Sequence, residues 1–178
     1  VFGALPDCCG AAGWQVNAHV LELEADSGLR WASDTRGSEP FRPLLGERVL
    51  DCPQVPSTLP TMDEMIGLDG VTTDNVGARL VELVAGNPKD LHVFTLHAEL
   101  EGGPLLGQFE QAMKGWRAQG AELCSVGEAV ADLDIQALPV ATVERGTIPG
   151  RAGLLATHSP PVPFDQAVLE PMSHERLT

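Results

Sequence analysis

Residues 73–124 read TDNVGARLVELVAGNPKDLHVFTLHAELEGGPLLGQFEQAMKGWRAQGAELC. From Thr73 to Ala85, Val76, Leu80, Leu83 and Val84 recur at helical spacing, which predicts an amphipathic helix. Asn87-Pro88 ends it, because proline lacks the amide a further turn needs. Leu91 to Leu96 is an apolar run that predicts the strongest strand of the chain. After a Gly102-Gly103-Pro104 loop, Leu105 to Gln119 predicts a second helix closed by Gly120, and Ala121 to Cys124 a short strand. Helix and strand alternating in this way point to an α/β fold with a mainly parallel sheet.

The same alternation continues outward. Towards the N-terminus, Asp7 to Cys9 leads into a Gly10–Gly13 turn, and a helix runs from about Asn17 to Asp26, with Gly28 placed to end it. Leu29 to Ala32 predicts a strand, and a loop rich in Arg, Gly and Pro follows as far as Pro43. Pro53 to Pro60 fits an edge strand or an extended loop. Thr61 with Glu64 has the spacing of a capping box. Towards the C-terminus, a helix is expected from about Ser125 to Leu133, then weak alternation around Val140, Val143 and Ile148. A first domain portion is expected over 1–155 and a disordered tail over 156–178, where Pro160, Pro161 and Pro163 interrupt any pattern. A closed barrel of eight strand–helix units takes about 250 residues. This chain therefore supplies at most part of one, and a small open sheet is the alternative.

The chain has 178 residues and a formal charge of −14. That balance argues against a nucleic-acid scaffold, which needs clustered cations. No apolar stretch approaches the roughly 18–20 residues that a spanning helix needs. Cys8, Cys9, Cys52 and Cys124 lack the spacing of a zinc site and are expected as reduced thiols of a cytoplasmic protein. No two of the five histidines lie three or four residues apart, so a helical two-histidine metal pair is absent. The chain opens at Val1 without methionine, which suggests a piece of something longer.

Four places carry residues fit for chemistry. His97, at the end of the strongest predicted strand, is expected at the carboxyl edge of a sheet, where α/β proteins bind ligands. A histidine there suits general acid–base work, and a structural histidine is the competing reading. Glu99 and Glu101 beside it either orient it or are solvated, Glu101 being the better candidate for solvation. His92, at the other end of the strand, reads as structural. Trp14 follows the Gly13 turn, where an aromatic ring either walls a pocket or caps the core. Asp34, Arg36 and Arg42 share one loop region, in which they pair with each other or grip an anionic phosphate.

The order of segments carries a further signal. Cys9-Gly10-Ala11-Ala12-Gly13-Trp14, Ser33-Asp34-Thr35-Arg36-Gly37, Pro40-Phe41-Arg42-Pro43-Leu44-Leu45, Thr58-Leu59-Pro60-Thr61-Met62-Asp63-Glu64, Thr95-Leu96-His97-Ala98-Glu99 and Gly146-Thr147-Ile148-Pro149-Gly150-Arg151 follow one another. Together they resemble the C-terminal half of the 4-deoxy-4-formamido-L-arabinose-phosphoundecaprenol deformylases, within the polysaccharide deacetylase (NodB-homology) superfamily. The resemblance implies the C-terminal part of a distorted β/α barrel. It also implies metal-dependent removal of formyl from a lipid-linked amino sugar, as used in lipid A modification and resistance to polymyxin and other cationic peptides. His97 matches the late histidine that protonates the leaving amine, while Trp14, Asp34, Arg36, Arg42 and Glu99 fall where substrate contacts are expected, with Asp34 orienting an arginine.

The departures from the pattern are equally informative. The superfamily takes its base and metal ligands from an early aspartate pair and a His-x-x-x-His pair, and neither occurs here. A divalent metal is thus expected for the complete enzyme, with its ligands outside this chain. Cys9 replaces an arginine, and Gln15 stands where the deformylases look as if they carry another. The implied partners are the lipid-linked sugar and either the missing N-terminal half or a chain that supplies it. The implied location is the inner face of the bacterial inner membrane. An inactive homologue that binds sugar, or that needs a partner, is the alternative.

Overall fold

The structure, a computed structural model, describes residues 3–4, 6–87, 89 and 91–167. The chain divides into two compact units. Residues 1–57, 133–148 and 153–178 form the first, and residues 58–132 with 149–152 form the second.

In the first unit, β1 (Cys8–Cys9) runs parallel to β2 (Trp31–Ala32), with α1 (Ala18–Asp26) as the crossover between them. Asn17 caps α1 by accepting the Val20 amide on its side chain, and Gly28 ends it at φ +69. A hairpin joins β3 (Arg42–Leu45) to β4 (Arg48–Val49) through Gly46, whose φ of +62 suits the tight turn. On its other side β3 pairs in parallel with β5 (Val140–Ala141), and β6 (Val143–Gly146) pairs antiparallel with β7 (Leu155–His158). Gln54 bridges to Ala32 on one side and Phe41 on the other, so the proline-flanked stretch is an extended connector. The core is Val16, Leu21, Phe41, Leu50, Ala141, Val143 and Ala156. A last helical turn covers Phe164–Ala167.

The second unit is helical. Its elements are α2 (Met62–Met65), α3 (Val76–Gly86), α4 (Ala98–Glu101), α5 (Leu106–Ala118) and α6 (Val126–Ala129). Apolar stripes of α3 and α5 meet over Val76, Leu80, Ala112 and Trp116. Two glycines allow the close approach: a Cβ on Gly77 would strike the Gln108 carbonyl, and one on Gly115 the Val81 side chain. The Phe94 ring lies 5.6 Å from that of Trp116 and 6.2 Å from that of Phe109. Both capping boxes, Thr61 with Glu64 and Ser125 with Glu128, are formed.

The described residues thus form a mixed α/β protein, with small sheets that contain parallel and antiparallel pairs. Four expectations are corrected. Leu91 to Leu96 is not a strand: Val93 makes two hydrogen bonds with Thr58 and one with Leu59, and no ladder forms along the run among the described residues. Ala121 to Cys124 likewise has no paired neighbour, and the helix expected over Ser125–Leu133 is a single turn. The tail does not begin at residue 156, because Ala156 to His158 pairs along β6 and Val162 bridges to Val140. Ladder bonds outweigh the proline-rich composition there. Val1, Pro88 and residues 168–178 lie outside the described residues.

Candidate functional site

In the second unit, His97 is the N-cap of α4, at the end of the extended run. Its backbone N–H donates to Glu101 Oε2 at 2.7 Å, which fixes where the ring starts from. Glu101 is therefore not solvated: it is 1% exposed, and its second oxygen has no hydrogen-bond partner among the described residues. The carboxylate turns inward because it substitutes for the carbonyl that the first turn of α4 lacks. The His97 ring is partly exposed, and its Nδ1 lies 3.6 Å from Asp63 Oδ1, an ion-pair distance too long for a hydrogen bond. Asp63 Oδ2 is 3.2 Å from Arg151 Nη2. Arg151 Nε donates to Glu64 Oε1 at 2.8 Å, while Glu64 Oε2 accepts the Thr61 amide. Glu99 is exposed on the first turn of α4. His92 Nε2 donates to the Asn87 carbonyl oxygen at 2.9 Å.

In the first unit, the turn at Gly13 (φ +63) and Trp14 (φ +53) drives the indole into the interior. Trp14 Nε1 donates to Ser57 Oγ at 3.1 Å, and the Arg36 guanidinium lies 4.6 Å from the ring centroid. Arg36 Nε also donates to the Ser57 carbonyl, so Trp14, Arg36 and Ser57 form one buried group.

Asp34 lies apart from that group. Its carboxylate accepts from the Ala11 amide at 2.6 Å and from Gln54 Nε2 at 2.7 Å, and no guanidinium is among its partners in the described residues. The expectation that Asp34 orients an arginine is corrected: an amide and a backbone N–H complete its shell instead. Arg42 is also spent elsewhere, on Asp51 at 3.0 Å, Gln136 at 3.0 Å and the face of Phe164.

Beside Asp34 lies Glu24, buried on α1, which accepts from the Cys9 thiol at 3.2 Å and from Gln54 Nε2 at 3.3 Å. Burial first, and the Asp34 charge second, push the Glu24 carboxyl up to about 7. Burial and the adjoining carboxylates also hold the Cys9 thiol far above its usual range and push Cys52 to about 12. Among the described residues, Cys9, Glu24 and Asp34 are the group whose ligand atoms approach closely enough to suggest a metal. The chemistry does not fit a catalytic divalent ion. The Gln54 amide already donates to both carboxylates, and no histidine contributes.

No family model matches the chain. Two curated relatives do. Over 149 residues, 84% of this chain and 47% of the relative, it is 36% identical to "Probable 4-deoxy-4-formamido-L-arabinose-phosphoundecaprenol deformylase ArnD" of Shewanella sediminis (strain HAW-EB3). Over 150 residues, 84% of this chain and 51% of the relative, it is 31% identical to the protein of the same name from Wigglesworthia glossinidia brevipalpis. This chain is ArnD-like over most of its length. It spans about half the length of the curated relatives it matches, consistent with the C-terminal half that the segment order implied.

Sequence reasoning found His97 but gave no role to Asp63, Glu64 or Arg151. They belong to the family-like segments, yet nothing in the spacing joins residues 87 positions apart. Glu24 and Gln54 were also missed. A charged residue on the apolar side of α1, beside Leu21, was the available signal. No helix of the described residues is long and apolar enough to cross a membrane.

Proposed function

We propose that this ArnD-like chain is the part of a formamido-arabinose deformylase that supplies its proton donor and part of its sugar pocket. The observation that carries the reading is the pairing of His97 with Asp63, 3.6 Å apart, at the matched histidine. In the reaction, water adds its oxygen to the formyl carbon, the C–N bond breaks, and the sugar nitrogen takes up a proton, releasing formate and a free amine. His97 is assigned that proton. With Asp63 facing Nδ1, Nε2 is the nitrogen left to deliver it. Glu99, exposed beside His97, is assigned to the sugar hydroxyls; Trp14 and Arg36, buried against each other in the first unit, are given no substrate role. Arg42, bound up with Asp51 and Gln136, is given no substrate role. The fold proposed for the complete protein is a distorted β/α barrel, acting at the inner face of the inner membrane on an undecaprenyl-linked sugar in lipid A modification. Its divalent metal would be held by residues outside these 178.

Formate release tests this. The chain is assayed alone and mixed with the segment of the Shewanella sediminis relative that it does not match. Release by the mixture, reduced about 10²–10⁴-fold by His97→Ala, is the expected result. Unchanged turnover in that variant removes His97 from the mechanism. Sugar binding without formate from the mixture favours the second reading, a homologue that binds but does not hydrolyse.

A further inference from the structure

Arg151 reaches the second unit on the short segment Pro149–Ala152. Gly150 takes φ +81, and a Cβ there would run into the backbone carbonyl of Glu64, so the turn lies directly on α2. From it the guanidinium forks. Nε donates to Glu64 at 2.8 Å, while Nη2 lies 3.2 Å from Asp63 Oδ2 and 3.4 Å from Thr61 Oγ1. Asp63 has both oxygens committed, Oδ2 to Arg151 and Oδ1 towards His97 Nδ1.

Neutralising the buried Glu64 requires only a cation. Holding Asp63 as well requires a planar fork with two separated donors, which arginine has and lysine lacks. Asp63 is 35% exposed, and an aspartate that open to water turns freely about its side-chain bonds unless something grips it.

We infer that Arg151 is a positioning residue, which acts on His97 through Asp63 by keeping one carboxylate oxygen aimed at Nδ1. The inference rests on the reading of His97 as proton donor but is read out without turnover. A carboxylate at Nδ1 favours the neutral ring with its proton on that nitrogen, and long-range ¹H–¹⁵N spectra report the share of the two tautomers directly.

The test is a double-mutant cycle on the 178-residue chain. In the parent, Asp63→Ala is expected to shift the His97 tautomer ratio at least twofold towards Nε2–H. In an Arg151→Lys background, which retains a cation for Glu64, the same change is expected to shift it less than half as much. An effect at least half as large in that background overturns the inference, since it would mean that a cation for Glu64, without the fork, leaves the influence of Asp63 intact. Glu64→Gln/Arg151→Gln, in which no buried charge is stranded, serves as the second background. If neither background folds, Arg151 serves the fold alone and the assignment is withdrawn. Absence of formate release with an intact cycle sinks the functional reading and leaves the positioning role standing.

Discussion

Each unit of this protein brings two carboxylates together, and the two do so by opposite means. In the second unit, Asp63 and Glu64 are joined by the Arg151 guanidinium. In the first, Glu24 and Asp34 lie side by side with the neutral amide of Gln54 between them, and Glu24 keeps its proton to about 7. A cation lets both acids stay ionised. Without one, Coulomb repulsion in a dry interior forces one acid to stay neutral. The difference teaches where chemistry is possible. The cation-bridged pair keeps Asp63 facing the His97 ring, whereas the amide-bridged pair is a structural joint between α1, the loop after β2 and the Gln54 connector.

The largest effect that would break this contrast comes from Arg151→Met. It leaves Glu64, 1% exposed, without its cation and is expected to cost roughly 3 kcal/mol in urea unfolding at neutral pH. A loss well under 1 kcal/mol would mean that Glu64 ionises without help and that the two pairs are alike.

Next in size is the pH dependence of the first unit. Glu24 has its folded value raised, so its contribution is fully present below about 4.5 and is lost as pH rises through about 7. The shift corresponds to about 3 kcal/mol at most. Glu24→Gln imitates the protonated acid and is expected to flatten the fall in melting temperature between pH 5 and pH 8. A variant that still shows the full fall would place the titrating group elsewhere.

The smallest effect is expected from Gln54→Ala. It removes the donor to both carboxylates and the acceptor for the Asp34 amide, at a cost of about 1–3 kcal/mol. The loss should be larger at pH 8 than at pH 5, because the amide matters most when both acids carry charge. Equal losses at the two pH values would make Gln54 a packing residue only.

Much of the helical structure was legible. The apolar spacing of Val76, Leu80 and Val84, the Asn17 and Gly28 signals around α1, and the Thr61–Glu64 box all correspond to observed features. Such signals are local, because helix bonds and caps close within a few residues. The run from Leu91 to Leu96 was misread because apolar, β-branched composition says only that a strand could form. A strand exists when a neighbour supplies the ladder, and among the described residues Val93 meets Thr58 and Leu59 without one. At the site the division is similar. His97 was visible from its motif, and Trp14 and Arg36 were singled out separately before Ser57 joined them. Asp34 was expected to face an arginine, yet its actual partners come from the turn before α1 and from Gln54, which is 20 residues away.

The sequence by itself determined the acidic character, the positions of the main helices and the likeness to the ArnD deformylases. Each of these is carried by composition, by short-range periodicity or by the order of motifs. Only the tertiary structure decided which acids share a cation and which share an amide. That choice depends on burial and on a partner's charge a few ångströms away, and neither quantity is written in the local chain. Arg151 reaches Glu64 across 87 positions, and Glu24 reaches Cys9 across 15.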